Sequence, residues 1–155
     1  MTFEIRYLAE VPNAVARLAE IFVDEWEPYY GVEGPGDAER DIRACCRRGA
    51  VPIAVIAVDD GGDVIGTGAL KAESLGSEPG QLPWIAGLVV EKNNRGKGVG
   101  TALVAALEDE ARRLGFSSIY TSTDAADNIL GKRGWRALKQ VESLRGPVTV
   151  YRMDL

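Results

Sequence analysis

In the segment Arg95-Gly96-Lys97-Gly98-Val99-Gly100-Thr101, glycines and cations alternate between an apolar run, Ile85 to Val90, and an amphipathic helical pattern. A helix begins with backbone N–H groups that lack carbonyl partners, with the positive end of the macrodipole behind them. An anion binds there readily. A Cβ would hold the backbone away from the anion's oxygens and would forbid left-handed dihedrals, so glycine permits the close approach. The chain as a whole is acidic, formally −5, yet Lys92, Arg95 and Lys97 outweigh Glu91 in this turn. A solvated turn that only starts a helix has no need of that contrast. The segment reads as a phosphate cradle.

The helix that follows carries Val99, Leu103, Leu107, Ala111 and Leu114 on one stripe, with Glu108, Asp109, Arg112 and Arg113 opposite, and Gly115 stops it. Upstream, Trp84 to Val90 is apolar without alternation, which predicts a strand covered on both faces in mid-sheet. Downstream, Ser117 to Ser122 predicts another strand, so the whole forms a right-handed βαβ unit. Spacing then separates the families that use such a unit. No lysine is followed by serine or threonine, which removes the Walker loop. A dinucleotide fold would need a third glycine where Thr101 stands, and too little chain follows Asp124 for its second half.

The third pattern is [QR]-x-x-G-x-[GA], and Arg95 to Gly100 matches each of its fixed positions. With the run from Leu88 to Leu107 around it, the chain resembles the GNAT superfamily of N-acetyltransferases. The resemblance implies an α/β fold of order β-α-α-β-β-β-α-β-α-β-β, a mixed and mostly antiparallel sheet with a central splayed parallel strand pair. The remaining residues fit that order. Phe3 to Leu8 alternates as a strand, and Pro12-Asn13 opens a helix with Val15, Leu18, Phe22 and Trp26 inward. Asp37 caps a helix from Ala38 to Arg48. Ile53 to Val58 and Val64 to Leu70 form a hairpin through Asp59-Asp60-Gly61-Gly62-Asp63, and Glu73 to Pro83 is a loop. Asp124 caps a short helix to about Lys132, and Trp135 to Val141 and Val148 to Met153 make a last antiparallel pair.

A chain of 155 residues with 46% apolar content is expected to form one domain over residues 1–155. No apolar run reaches membrane-spanning length and Met1-Thr2-Phe3-Glu4 lacks a leader pattern, so a cytoplasmic location is expected. With no histidine and only two cysteines, His-based triads and metal sites are not expected. Cys45 and Cys46 are adjacent in a helical pattern and cannot form an ordinary disulfide with each other. No basic patch with interleaved aromatics points to nucleic acid.

The resemblance also implies a cosubstrate, acetyl-CoA, and a reaction in which an amine attacks the thioester directly in a ternary complex. Leu88, Val89 and Val90 would offer backbone groups to the pantetheine arm. Arg95, Gly96, Lys97, Gly98, Val99, Gly100 and Thr101 would hold the pyrophosphate, with Arg95 and Lys97 adding charge. Many members place a glutamate base early in the fourth strand, where this chain has Trp84, and an acid tyrosine after the fifth strand, where it has Leu130. The catalytic candidates are therefore Glu27, Tyr29 and Glu73, with Tyr30 and Glu33 beside them, or a water chain. Lys132 and Arg133 are either helix-end cations or contacts to the CoA phosphates. Carboxylates at Glu25, Glu27 and Glu33 would favour a cationic small-molecule or peptide amine as acceptor. A homodimer is an option left open. The other reading is a CoA-binding sensor or interaction module that has lost the chemistry.

Overall fold

The computed structural model describes residues 2–155; Met1, the first residue of the leader reading, lies outside them. Seven strands and five helices follow the expected order with one helix, α2, added between the first two: β1 (Phe3–Tyr7), α1 (Val15–Glu25), α2 (Glu27–Tyr30), α3 (Ala38–Ala44), β2 (Ile53–Asp59), β3 (Val64–Lys71), β4 (Trp84–Val90), α4 (Val99–Arg113), β5 (Ser118–Thr123), α5 (Asp127–Lys132), β6 (Arg136–Ser143) and β7 (Gly146–Asp154). They form one sheet ordered β1-β2-β3-β4-β5-β7-β6. Among the described strands only β4 and β5 pair in parallel, and α4 is the crossover that joins them.

The alternation of β2 decides how the two faces are covered. Ala54, Ile56 and Val58 point to one core with Leu18, Ile21 and Phe22 of α1 and Ile42 of α3. Ile53, Val55 and Ala57 point to the other, against Leu103, Val104, Leu107 and Ala111 of α4 and Leu130 of α5. Leu103 and Leu107 are fully buried, and burial of each such side chain stabilises the fold by about 2 kcal/mol. Asp37 caps α3 as expected, its carboxylate accepting from the Arg40 N–H at 3.1 Å.

Several expectations are corrected. Glu108 does not lie on the solvent face of α4 but is 2% exposed. Its carboxylate accepts from Arg133 Nε at 2.9 Å, Arg133 Nη2 at 2.7 Å and Trp135 Nε1 at 3.0 Å, which satisfies the buried charge and ties α5 and β6 to α4. Arg133 is thus committed to the fold and is not a free contact for CoA phosphates. α5 starts at Asp127 with Ala126 as N-cap, not at Asp124, whose carboxylate pairs with Arg145 at 3.3 Å. α3 stops at Ala44, well before Arg48. The Glu27-Pro28 turn forms α2, where proline is tolerated in the first helical turn. Finally, β4 is not covered throughout: Trp84 and Ile85 are buried, whereas Ala86 to Leu88 are only half-buried.

Candidate active site

That half-exposed stretch of β4 is where the sheet opens. β4 and β5 pair at Trp84 with Tyr120 and Ile85 with Thr121 and no further. The Thr121 hydroxyl donates to the Ile85 carbonyl at 2.9 Å and holds the last paired step. Immediately beyond it, β3 pairs Thr67 with Val89 and Ala69 with Ala86, so Gly87 and Leu88 stand opposite Gly68 alone. This bulge turns β4 away from β5. Gly87 sits at φ +62, and a Cβ there would come within 2.9 Å of Phe22 Cζ. Only glycine meets both conditions. A cavity of about 870 Å³ passes through the gap.

On the α4 face stands the cradle. Gly96 and Gly98 have φ of +77 and +85, and nothing lies within 4 Å of where a Cβ would project from either. The first amides of α4, at Val99, Gly100 and Thr101, precede the first intrahelical bond, from Ala102 N–H to the Gly98 carbonyl at 3.1 Å. Gly100 faces inward, where a Cβ would lie 2.9 Å from Ile129 Cδ1, so this glycine serves the packing of α5 on α4. Val99 is buried, Thr101 exposed.

The charge of the loop is a correction. Lys92 pairs with Asp24 at 3.1 Å, and Arg95 pairs with Glu25 at 3.3 Å while its Nε donates to the Val90 carbonyl at 2.9 Å. Two of the three cations are thus neutralised by the end of α1. Lys97 alone of the three has no ion-pair partner among the described residues. The anion-holding capacity of this segment rests on backbone amides first and on Lys97 second. Glu25, read from the sequence as part of an acidic mouth, does line the cavity and is also the brace for Arg95.

On the opposite face the cavity runs under α1, α2 and α3. Its wall is aromatic: Phe22 meets Trp26 edge-on at 5.0 Å and Tyr30 at 5.5 Å, and Tyr30 meets Tyr29 edge-on at 4.7 Å. Trp26, Tyr29 and Tyr30 all line the cavity. The loop after α2 holds these rings in place, for a Cβ at Gly36 would run into Tyr29 and Tyr30. The Tyr30 hydroxyl donates to Asp41 at 2.8 Å. Burial, then the bond to Asp41, push this phenol well above its ordinary range, so it stays protonated. Cys45 lies beside them, free, its thiol pushed up by burial. The tip of the β6–β7 hairpin crosses the opening, where Arg145 donates to the Glu25 carbonyl at 3.0 Å and pairs with Asp124.

The catalytic candidates separate on this geometry. Tyr29 and Glu73 line the cavity, whereas Glu27 and Glu33 are exposed and do not. Leu88 lines it too; Val89 is buried in the α1 core. Trp84 and Leu130, which occupy the places of the expected base and acid, are both fully buried. Trp84 stacks on Tyr120 at 5.2 Å. Asp41, Lys71, Ser122, Thr123 and Arg145 also line the cavity and were not singled out from the sequence. Lys71 carried a signal: it falls two residues after Ala69, on the same face of β3.

The sheet is thus split between its two parallel strands, with amides open to an anion on one face and a walled cavity on the other. The model of the Acetyltransferase (GNAT) family matches residues 16–132, and the chain belongs to that family. It is an acetyltransferase. No curated protein matches its sequence. Among solved structures, an aminoglycoside 6'-N-acetyltransferase complexed with coenzyme A is 18% identical, with TM-score 0.76 over 99% of this chain and 97% of that one. A ribosomal-protein-alanine N-acetyltransferase from Brucella melitensis is also 18% identical, TM-score 0.76, over 98% and 99%. A Salmonella typhimurium protein solved with its cofactor acetyl-CoA is 18% identical, TM-score 0.73, over 100% and 95%. At these identities the likeness is one of fold. No helix among the described residues is long and apolar enough to cross a membrane, and no group of three or more metal-ligating side chains occurs among them.

Proposed function

We propose that the protein, as a single domain, transfers the acetyl group of acetyl-CoA to a primary amine within a ternary complex. The observation that carries this reading is the two-faced cleft. Open space over Gly96 and Gly98 beside free amides fits a pyrophosphate, and the bulged β4 offers backbone groups at Leu88 to Val90 along the gap. When bound, the cosubstrate supplies an activated thioester. The chain's own residues do the rest. Amides from Gly96 to Thr101, with Lys97, hold the phosphates; Arg95 braces the loop against Val90 and Glu25.

The acceptor enters from the aromatic face. An ammonium of pKa near 10 must lose a proton before it attacks. Glu73, exposed at the cavity rim, takes that proton directly or through water, and Tyr29 is the second candidate for contact with the amine. With Leu130 buried at the place of the expected acid, the hydroxyls of Ser122 and Thr123 on the β5 wall donate hydrogen bonds to the departing thiolate, which takes its proton from water. The same buried Trp84 and Leu130 support the second reading, a CoA-binding sensor. Thiol release separates the two. Steady release with an amine supports the enzyme, whereas acetyl-CoA binding without turnover on a broad amine panel supports the sensor.

A further inference from the structure

The acceptor end of the cleft has a chemistry of its own. Lys71 closes β3, and Glu73 follows two residues later; both line the cavity. Their backbones are about 7 Å apart at most. Neither forms an ion pair with the other or with any partner among the described residues, whereas Arg145 and Asp124 of the same lining pair with each other. A cation and an anion side by side at one cavity and left unpaired present two opposite charges to whatever enters. Beside them lies the wall of Phe22, Trp26, Tyr29 and Tyr30, with Tyr29 42% exposed. Across the opening, Arg145 joins the end of α1 to Asp124 and narrows the way in.

Resting on the acetyltransferase reading, we propose that the acceptor is an aromatic α-amino acid or a close analogue: a compact zwitterion whose amine meets Glu73, whose carboxylate meets Lys71 and whose ring packs on Trp26 and Tyr29. Flat apolar surface matches flat apolar surface. Lys71 supplies a charge-assisted bond to the carboxylate. A polyhydroxylated body would leave its hydroxyls against aromatic carbon. The bridged opening disfavours a folded protein terminus.

The test holds acetyl-CoA constant and compares kcat/KM for L-phenylalanine, 2-phenylethylamine, spermidine and kanamycin, with calorimetric binding of acetyl-CoA measured on the same sample. L-phenylalanine should exceed the other three by about tenfold or more, the factor that one such bond gives. In a Lys71→Met variant with an unchanged melting temperature, the ratio of L-phenylalanine to 2-phenylethylamine should fall to near one. A preference for spermidine, kanamycin or 2-phenylethylamine, no turnover of L-phenylalanine despite bound acetyl-CoA, or an unchanged ratio in the variant overturns the inference and leaves the broader reading standing. Failure to bind acetyl-CoA overturns both.

Discussion

The cradle at the start of α4 and the cavity beneath α1 and α3 lie on opposite faces of one sheet and are built in different ways. In the cradle the working groups are backbone amides, and the side chains that matter are those that are missing, at Gly96 and Gly98. In the cavity the working groups are side chains gathered from α1, α2, α3, β3 and the β6–β7 hairpin, far apart in sequence. A backbone site can be read from a short run of residues because helix geometry places its donors. A side-chain site needs the tertiary fold.

Four changes probe that contrast. Glu108→Ala should have the largest effect, since it leaves Trp135 Nε1 without its buried partner and Arg133 without its ion pair. Unfolding by denaturant should show a loss of about 3 kcal/mol. If acetyl-CoA affinity also falls in the protein that remains folded, the cofactor half depends on a side-chain network as well as on backbone. Gly98→Glu comes next. It forces an L residue to φ +85 and sets a carboxylate at the anion site, so calorimetry should record about a 100-fold weaker acetyl-CoA complex, close to 2.7 kcal/mol.

Tyr30→Phe removes the bond to Asp41 and should cost about 1 kcal/mol of stability, with acceptor KM raised and acetyl-CoA binding untouched. The smallest effect is at Tyr151, whose bond to Asp127 pushes its phenol up to about 12. A pKa raised on folding means that the stabilisation is fully present below pH 10 and is lost as pH rises through 12. Tyr151→Phe should therefore flatten the alkaline decline of melting temperature and leave both halves of the cleft alone.

The same contrast accounts for what the sequence revealed. The element order apart from α2, the apolar stripe of α4 and the glycine loop were legible because each rests on local periodicity or on missing Cβ atoms. Glu108 was not, because its pattern position is that of a solvent face and only Arg133 and Trp135, remote in sequence, make its burial tolerable. The loop's positive charge was legible, but its neutralisation by Asp24 and Glu25 was not, since α1 reaches β4 only in the folded chain. Among the catalytic candidates, Tyr29 and Glu73 reach the cavity and Glu27 does not. Glu27 and Tyr29 are about half a turn of α2 apart and so face opposite ways, which a sequence without a cap signal does not disclose.

Calorimetric titration of acetyl-CoA into the intact protein, Gly98→Glu and Lys71→Met tests the division most directly. The division predicts binding to the intact protein, about a 100-fold loss in Gly98→Glu and affinity within about twofold of the original in Lys71→Met. Equal affinity in the intact protein and Gly98→Glu, or no binding to the intact protein at all, would contradict it.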